Sequence, residues 1–403
     1  MGIFRHVVTR AALLGGAAAA AIVALPAATP AVSTLPPVTH VFVIVLENEN
    51  ASATFGNSTA DPYLAQILVS EGAYLPNYFG TGHESNDNYV AMVSGQAPNP
   101  QSQGDCQIYD DFVGTGPVVA PGALPASTPL DGQAVGTGCV YPTSVETIGD
   151  QLTGAGLSWK GYMGDMGNVP TREAANCGHP ALNSQDKTQT AVAGDGYVSR
   201  HDPFVYFHSI IDNGAYCDEH VVPLGSSTGA VPASALPGTT GLVQDLASTA
   251  TTPNLSFIVP NLCDDGHDFP CTNEPTPGSS AVADTDAFLR TWVPIITSSP
   301  AYLNGGMLVV TFDEAGGPPN GDSSSCCGEL PGPNSPLPGI DGPGGGQVGA
   351  VVLSPYVKPG TVSKVAYNHY ALLGSIEDLF GLHRLGFAAD VPATFGPDVY
   401  TQP

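Results

Sequence analysis

The sequence predicts an α/β fold with a mostly parallel central sheet, and two observations support this. Four short apolar runs are rich in β-branched residues and lack the alternation of a half-exposed strand, which suits strands buried on both faces. Segments with helical periodicity separate the runs, and strands that alternate with helices are typical of a sandwich of helices around a parallel sheet. The four runs are residues 41–46, 255–259, 307–312 and 348–353.

The helical segments are recognised by their apolar spacing and their start signals. Asp61-Pro62 opens a pattern that extends to about Glu71, with proline at an early helical position, where its missing N–H costs nothing. We therefore expect a helix over residues 61–71. Similar patterns cover residues 144–152, 284–297 and 368–380.

Two long segments, residues 97–141 and 315–346, lack periodicity and are rich in glycine, proline, aspartate and serine. We expect them to be loop insertions over the functional edge of the sheet, stapled by disulfides. The chain has eight cysteines. None has the Cys-x-x-Cys spacing of a thiolate zinc site, so up to four disulfides are the expected use. The cysteines are Cys106, Cys139, Cys177, Cys217, Cys263, Cys271, Cys326 and Cys327.

The first residues resemble an export signal. Arg5 and Arg10 precede an apolar stretch over residues 11–25, which small residues and prolines follow. This pattern predicts a signal peptide and processing region over residues 1–31, followed by a single domain over residues 38–403. A membrane anchor is disfavoured because the apolar run is shorter than the roughly 20 residues that a span needs. We expect a secreted protein with no stable membrane insertion.

The charge balance restricts the partners. Lys and Arg total 10 against 36 Asp and Glu, for a net charge of −26. Such a field repels nucleic acid and anionic membranes, so a metal ion or a small basic pocket must hold any anionic substrate. Because cations are scarce, Lys160, in a predicted strand, and Arg200-His201 are candidates to neutralise a phosphate. A role of Arg200-His201 in the core or in a surface ion pair fits equally well.

Polar residues follow three of the predicted strands directly. Glu47-Asn48 follows the first run, Asp313-Glu314 follows the third, and the segment 261–268 follows the second. Because parallel α/β sheets bind ligands outside the carboxyl ends of their strands, we expect these side chains to meet at one edge. Carboxylate and amide oxygens suit Ca²⁺, Mg²⁺ or Mn²⁺, and Zn²⁺ is an option if imidazole joins them.

A simpler explanation competes with this one. A single acidic pair is more often a solvated loop or a helix cap, and Asp264 and Asp265 in particular stay ambiguous. The coincidence of three strand ends is what favours a functional edge.

A glycine-rich turn at residues 80–84 precedes a short helical pattern that ends at Gly95. Ser85 or Asn86 then lies at a helix N-terminus, where free N–H groups and the helix dipole favour an anion such as phosphate. A hydroxyl there, close to a metal, is a candidate nucleophile. Taken alone, Ser85 is better explained as an N-cap. The segment is not a Gly-x-Ser-x-Gly elbow, which disfavours a serine esterase.

In combination these motifs resemble the bacterial phosphoesterase family that joins secreted acid phosphatases to phospholipases C. The chain looks most like the short actinobacterial secreted acid phosphatases, over about residues 40–390. The resemblance implies an alkaline-phosphatase-like α/β/α sandwich. The motifs are Glu47-Asn48, Gly-His83-x-Ser85-x-x-Asn88, Asp-Asp-Gly-His267-Asp268 and Asp313-Glu314-x-Gly-Gly.

The resemblance also implies roles for individual residues. Ser85 is the implied nucleophile and metal ligand, and His83 and His267 are implied to contact the phosphate or protonate the leaving group. We further expect Asn88, Lys160 and Asp268 to bind the substrate. The implied metal ligands are Glu47, Asn48, Ser85, Asp313 and Glu314.

One departure bears on the substrate. Phospholipase-type members continue the first motif as Glu-Asn-Arg-Ser-Phe, whereas this chain continues with Glu49-Asn50-Ala51. We therefore expect a metal-dependent acid phosphatase acting on small-molecule or lipid phosphate monoesters, phosphoinositides included. The alternatives are a phospholipase C-type phosphodiesterase and, from another class, a non-catalytic calcium-binding secreted protein.

Overall fold

The structure is a computed structural model that describes residues 1–2, 35–56, 59–117, 132–272, 279–317 and 321–401. The chain divides into two units, residues 1–34 and 35–403, and the fold described below is that of the second unit. Apart from residues 1–2, the predicted signal peptide lies outside the described residues.

An eight-stranded sheet forms the centre of this unit, in the order β8-β2-β7-β6-β1-β5-β3-β4. Its pairs are parallel except for the two that β7 makes, with β6 and with β2. The predicted mostly parallel sheet is therefore confirmed, and the predicted runs at 41–46, 255–259 and 307–312 agree with the observed strands within one residue. The strands are β1 (His40–Leu46), β2 (Ala73–Leu75), β3 (Trp159–Met163), β4 (Val221–Pro223), β5 (Leu255–Val259), β6 (Gly306–Phe312), β7 (Ala350–Leu353) and β8 (Thr361–Val362).

Strand β7 is buried as predicted but runs antiparallel to its neighbours. The reason is that the residues directly after β6 and those directly before β7 lie at the same edge of the sheet, so the connection between the two strands begins and ends there. Backbone bonds hold this connection there, from Ala315 N–H to the Gly345 carbonyl and from Gly80 N–H to the Gly346 carbonyl. A chain that re-enters the sheet at the edge it left must run in the opposite direction.

Helices cover the sheet in two groups. Helix α2 contacts α3 and α9, whereas α7 contacts α8 and a π-helix at Tyr63–Leu68. All seven residues of β1 are buried, which requires cover on both faces of the sheet. The helices are α1 (Val69–Glu71), α2 (Ser85–Ser94), α3 (Ile148–Gly154), α4 (His208–Ile211), α5 (Gly214–His220), α6 (Leu242–Asp245), α7 (Ala281–Thr297), α8 (Pro300–Leu303) and α9 (His369–Phe380).

Two predicted helices differ from the observed ones. The segment 61–71 is helical, but most of it is the π-helix, and α1 forms its last turn. The helix expected over residues 144–152 begins only at Ile148, because Thr147 rather than Ser144 caps it. The Thr147 side chain accepts from Asp150 N–H while Asp150 accepts from Thr147 N–H, a capping box. Within the described ranges, no helix has the length and apolar character needed to cross a membrane.

All eight cysteines are paired, as expected. Cys106–Cys139 closes the loop segment 97–141. The expected staple of segment 315–346 is wrong in detail, because Cys326 pairs with its neighbour Cys327 and ties the loop to nothing else. Backbone hydrogen bonds to residues 80–83 hold that loop instead. The other two bonds are Cys177–Cys217 and Cys263–Cys271.

A buried acid at the start of the π-helix gives a stability test. Asp61 is fully buried and faces Asp286, and burial first, then Asp286, raises the pKa of Asp61 to about 8. A raised pKa in the folded state means that Asp61 contributes stability at low pH, which is lost as the pH rises from about 4 to about 8. Asp61→Asn, which carries no proton to lose, is expected to gain stability relative to wild type across this range.

Urea unfolding at pH 5 and pH 8 measures the difference between the two proteins. The expectation is contradicted if the difference in unfolding free energy between Asp61→Asn and wild type is the same at both pH values.

Candidate active site

The parallel pair β1 and β6 places two acids side by side. Leu46 pairs with Phe312 at the ends of these strands, so Glu47 and Asp313 leave the sheet together. Asn48 adopts a positive φ of 54° and donates its backbone N–H to Asp313 Oδ1 at 3.0 Å. The Glu314 N–H donates to the same oxygen at 2.6 Å. Asp313 Oδ1 is thus held by two backbone groups, and Oδ2 is buried with no hydrogen-bond partner among the described residues.

The Ser85 hydroxyl faces this pair of strands. Ser85 is the first residue of α2, and its Oγ donates to Glu47 Oε2 at 2.9 Å. One turn later, the Tyr89 hydroxyl donates to Glu47 Oε1 at 2.6 Å. The helix cap is Glu84, which makes no side-chain capping bond. Ser85 is therefore not an N-cap, and its hydroxyl belongs to the acid cluster.

Backbone strain immediately precedes Ser85. Glu84 has a φ of 79°, a region that residues with a side chain rarely adopt. Its N–H donates to Glu314 Oε2 at 3.3 Å. Strain of this kind costs about 1–3 kcal/mol and clusters at functional sites, where surrounding contacts hold it in place.

Asn88 holds the turn before Ser85 rather than facing a cavity. Its Oδ1 accepts from the N–H groups of Thr81 and Gly82 at 2.8 and 3.0 Å. Its Nδ2 donates to the carbonyls of Gly82 and Glu84 at 2.9 and 3.2 Å. The amide therefore has no bonding capacity left for a substrate. The geometry assigns Asn88 a positioning role in place of the expected substrate contact.

The two histidines implied by the resemblance have different surroundings. His83 is buried, with Nδ1 bonded to the Glu314 carboxylate and Nε2 to the Asp322 carbonyl at 3.0 Å. His267 keeps 30% of its side chain exposed. Its Nδ1 lies 2.8 Å from Asp268 Oδ1, and its Nε2 accepts from Arg200 at 3.2 Å. Asp268 thus contacts the imidazole of His267.

Lys160 is not brought to the cluster. It is the second residue of β3 and lies opposite Ser256, towards the amino end of the strand and away from the edge that carries Glu47. Its ammonium group bonds Asp245 at 2.8 Å and Thr240 at 3.0 Å.

Two residues that the sequence left undecided do join the cluster. His201 Nδ1 lies 3.3 Å from Asp265 Oδ2, and His201 Nε2 lies 3.5 Å from Glu47 Oε1. The neighbouring Arg200 is buried and lies 3.3 Å from Asp105. The sequence feature that made His201 a candidate was its position next to Arg200, one of only 10 Lys and Arg residues in the chain. Tyr89 could also have been predicted to face the cluster, because it lies four residues after Ser85 and such positions share one face of a helix.

The cluster is crowded with buried acids. Glu47, Asp265, Asp313 and Glu314 are all buried. Burial and, after it, the charges of Asp313 and Asp265 raise the pKa of Glu47 well above its usual range, and burial raises that of Asp313 to about 6. Asp265 Oδ2, like Asp313 Oδ2, has no hydrogen-bond partner in the described part of the chain. Buried carboxylate oxygens without hydrogen-bond partners in this acid cluster are a donor set that fits a divalent cation.

Buried acids, imidazoles and a serine hydroxyl at the carboxyl edge of a parallel sheet define an α/β protein with a site of catalytic type. The model of the phosphoesterase family matches residues 59–383, and the chain belongs to this family.

Named relatives are phosphatases. The chain is 25% identical over 369 residues to a phosphatidylinositol-3-phosphatase of Mycobacterium tuberculosis, covering 92% of this chain and 86% of that protein. It is 25% identical over 319 residues to a phosphate-repressible acid phosphatase of Penicillium chrysogenum, covering 79% of this chain and 54% of the relative. An acid phosphatase of Aspergillus fumigatus is 21% identical over 345 residues, 86% of this chain and 55% of its own length. The chain thus spans about half the length of these fungal relatives.

Among solved structures, the chain is similar to a protein in the alkaline phosphatase superfamily from Vibrio parahaemolyticus. The TM-score is 0.46, with 14% sequence identity over 90% of this chain and 72% of that one.

The role of Asn88 is testable. Asn88→Ala leaves several buried backbone groups in the turn unpaired, at about 1–3 kcal/mol each. We expect a loss of at least about 2 kcal/mol in urea unfolding together with a lower kcat. Asn304→Ala is the matched control, because Asn304 is exposed and makes the same side-chain bond to a carbonyl four residues earlier. Equal effects of the two substitutions would contradict the role.

The position of Lys160 gives a second test. Lys160→Met removes the ammonium group from its bonds to Asp245 and Thr240 without touching the acid cluster. We expect KM for p-nitrophenyl phosphate within about twofold of wild type. A KM raised about tenfold or more, which corresponds to about 1.4 kcal/mol of binding, would restore the substrate-binding role.

Proposed function

We propose that the chain is a metal-dependent phosphatase that hydrolyses phosphate monoesters with Ser85 as the nucleophile. The observation that carries the proposal is the hydrogen bond from Ser85 Oγ to Glu47, within a buried acid cluster at the start of helix α2. The relatives named as acid phosphatases and as a phosphatidylinositol-3-phosphatase support it.

The strand-end acids are the proposed metal ligands. Glu47 and Asp313 follow paired strand ends, Glu47 accepts the Ser85 hydroxyl, and Asp313 Oδ2 has no hydrogen-bond partner among the described residues. Asn48 contributes a backbone N–H that fixes Asp313, and the Glu314 carboxylate is shared with His83. A divalent cation held here, whether Ca²⁺, Mg²⁺, Mn²⁺ or Zn²⁺, would neutralise phosphoryl oxygens.

The residues suggest the order of events. Glu47 accepts the Ser85 hydrogen bond and orients Oγ towards a phosphorus atom held at the N-terminus of α2, whose dipole favours an anion. Ser85 Oγ bonds to phosphorus and passes its proton to Glu47 Oε2 as the bond to the leaving oxygen breaks, and water later hydrolyses the phosphoserine to release phosphate.

His267 is the proposed donor of the proton that the leaving oxygen takes. Its side chain is 30% exposed at the edge of the cluster, whereas His83 is buried. This difference in surroundings favours His267 for the acid.

The substrate class and the location are parts of the same proposal. The name of the mycobacterial relative supports phosphoinositides as candidate substrates, beside small-molecule phosphate monoesters. Four disulfides support export, because disulfides persist in oxidising compartments.

The test is the turnover of p-nitrophenyl phosphate by wild type, Ser85→Ala and Asp313→Asn, with and without a chelator. We expect Ser85→Ala to lower kcat by more than about 10³-fold, since loss of a nucleophile removes the covalent route. We expect the chelator to abolish the activity and a divalent cation to restore it. Ser94→Ala is the matched control, because Ser94 is buried in the same helix and bonds only the Val90 carbonyl and Gln96 N–H in the hydrogen bonds described.

Each negative result has its own meaning. If Ser85→Ala is fully active and Asp313→Asn is inactive, Ser85 is not the nucleophile, but the role of the acid cluster as the metal site is retained. Faster turnover of bis-(p-nitrophenyl) phosphate supports a phosphodiesterase instead. The absence of hydrolysis with every cation contradicts the function.

A further inference from the structure

His201 lies inside the acid cluster without a hydrogen-bond partner. Its ring is 1% exposed, and neither nitrogen makes a hydrogen bond within the described residues. Yet Nδ1 lies 3.3 Å from Asp265 Oδ2, and Nε2 lies 3.5 Å from Glu47 Oε1. Because a buried polar group without a hydrogen-bond partner is destabilising, a ring that faces two carboxylates without bonding either one points to a missing partner between them.

The two carboxylates present oxygens to this ring. Asp265 Oδ1 accepts the backbone N–H of His267 at 2.8 Å, whereas Oδ2, which faces His201, has no hydrogen-bond partner among the described residues. Glu47 Oε2 accepts the Ser85 hydroxyl, whereas Oε1 accepts the Tyr89 hydroxyl and lies 3.5 Å from His201 Nε2. Ligand atoms of Glu47, His201 and Asp265 all lie within 4.8 Å of one another. Two oxygens and one nitrogen thus converge on a point across Glu47 from Ser85.

Neighbouring groups hold these three side chains in place. The Tyr89 ring stacks on His201 at 5.2 Å with the two planes 12° apart. The Tyr89 hydroxyl also donates to Glu47 Oε1 at 2.6 Å. The backbone N–H of His267 donates to Asp265 as well. These contacts fix the orientation of each side chain, as hydrogen-bond partners of metal ligands commonly do.

We propose that Glu47, His201 and Asp265 form a second cation subsite of mixed oxygen and nitrogen ligands, beside the oxygen ligands at Asp313. It extends the proposed metal-dependent function, since Glu47 is shared by both subsites. Imidazole suits Zn²⁺, Mn²⁺, Co²⁺ and Fe²⁺, whereas Ca²⁺ and Mg²⁺ prefer oxygen ligands throughout. The subsite therefore takes a transition metal and leaves Ca²⁺ to the oxygen ligands.

The test counts ions in the absence of substrate. The mature protein is stripped with a chelator, dialysed against Co²⁺ and analysed for cobalt per chain and for the Co²⁺ absorption spectrum. We expect two Co²⁺ per chain in wild type and one in His201→Asn and in Asp265→Asn, with a changed spectrum in His201→Asn. Dialysis of wild type against Ca²⁺ is expected to leave one ion per chain.

Two choices keep the test decisive. Asp265→Asn retains Oδ1 as the acceptor for the His267 N–H, so it removes the ligand charge while keeping that bond. His220→Asn is the control for loss of a histidine outside the cluster, since His220 bonds the Tyr216 carbonyl, and it is expected to keep both ions. Thermal unfolding of the stripped proteins checks that each variant is folded.

The subsite is overturned if folded His201→Asn and Asp265→Asn keep the cobalt content of wild type. Loss of all cobalt in either variant also overturns it, because the two ligand sets would then be one site. Neither outcome depends on turnover, so a failure here is distinct from a failure of the phosphatase activity.

Discussion

The burial of several carboxylates at one point is the constraint on which the rest of this structure depends. Glu47, Asp265, Asp313 and Glu314 are removed from water, and an isolated buried charge is so costly that it must be paired, protonated or bound to a cation. The adjacent parallel strands β1 and β6 impose the closeness by ending in register. In a chain with so few basic residues, a cation that is not part of the protein is the natural partner.

The elements around the cluster have a common effect, which is to fix these acids and aim Ser85 at them. The side-chain amide of Asn88 makes hydrogen bonds to backbone groups of the turn before Ser85. Glu84, in the same turn, adopts a strained backbone conformation. The connection 313–349 returns to the same edge and bonds His83 through the carbonyls of Asp322 and Pro338. That closure occupies His83 and leaves His267 as the more accessible imidazole.

Much of this could be predicted from local sequence, and the rest could not for definable reasons. The bounds of β1, β5 and β6 follow from composition, because strands buried on both faces are apolar throughout, and the acids at their ends follow from strand direction. The position of His201 depends on long-range contacts with Glu47 and Asp265 that no local pattern encodes. The contacts of Lys160 depend on its place near the amino end of β3, which the residue type alone does not indicate.

The central claim is that the acid cluster holds divalent cations against the Ser85 hydroxyl. Crystals grown with Mn²⁺ and vanadate, analysed by anomalous scattering, test it most directly. The account predicts anomalous density within bonding distance of Glu47 and Asp313 oxygens, with vanadium bonded to Ser85 Oγ. Mn²⁺ absent from the cluster, with vanadate bound elsewhere, would contradict it.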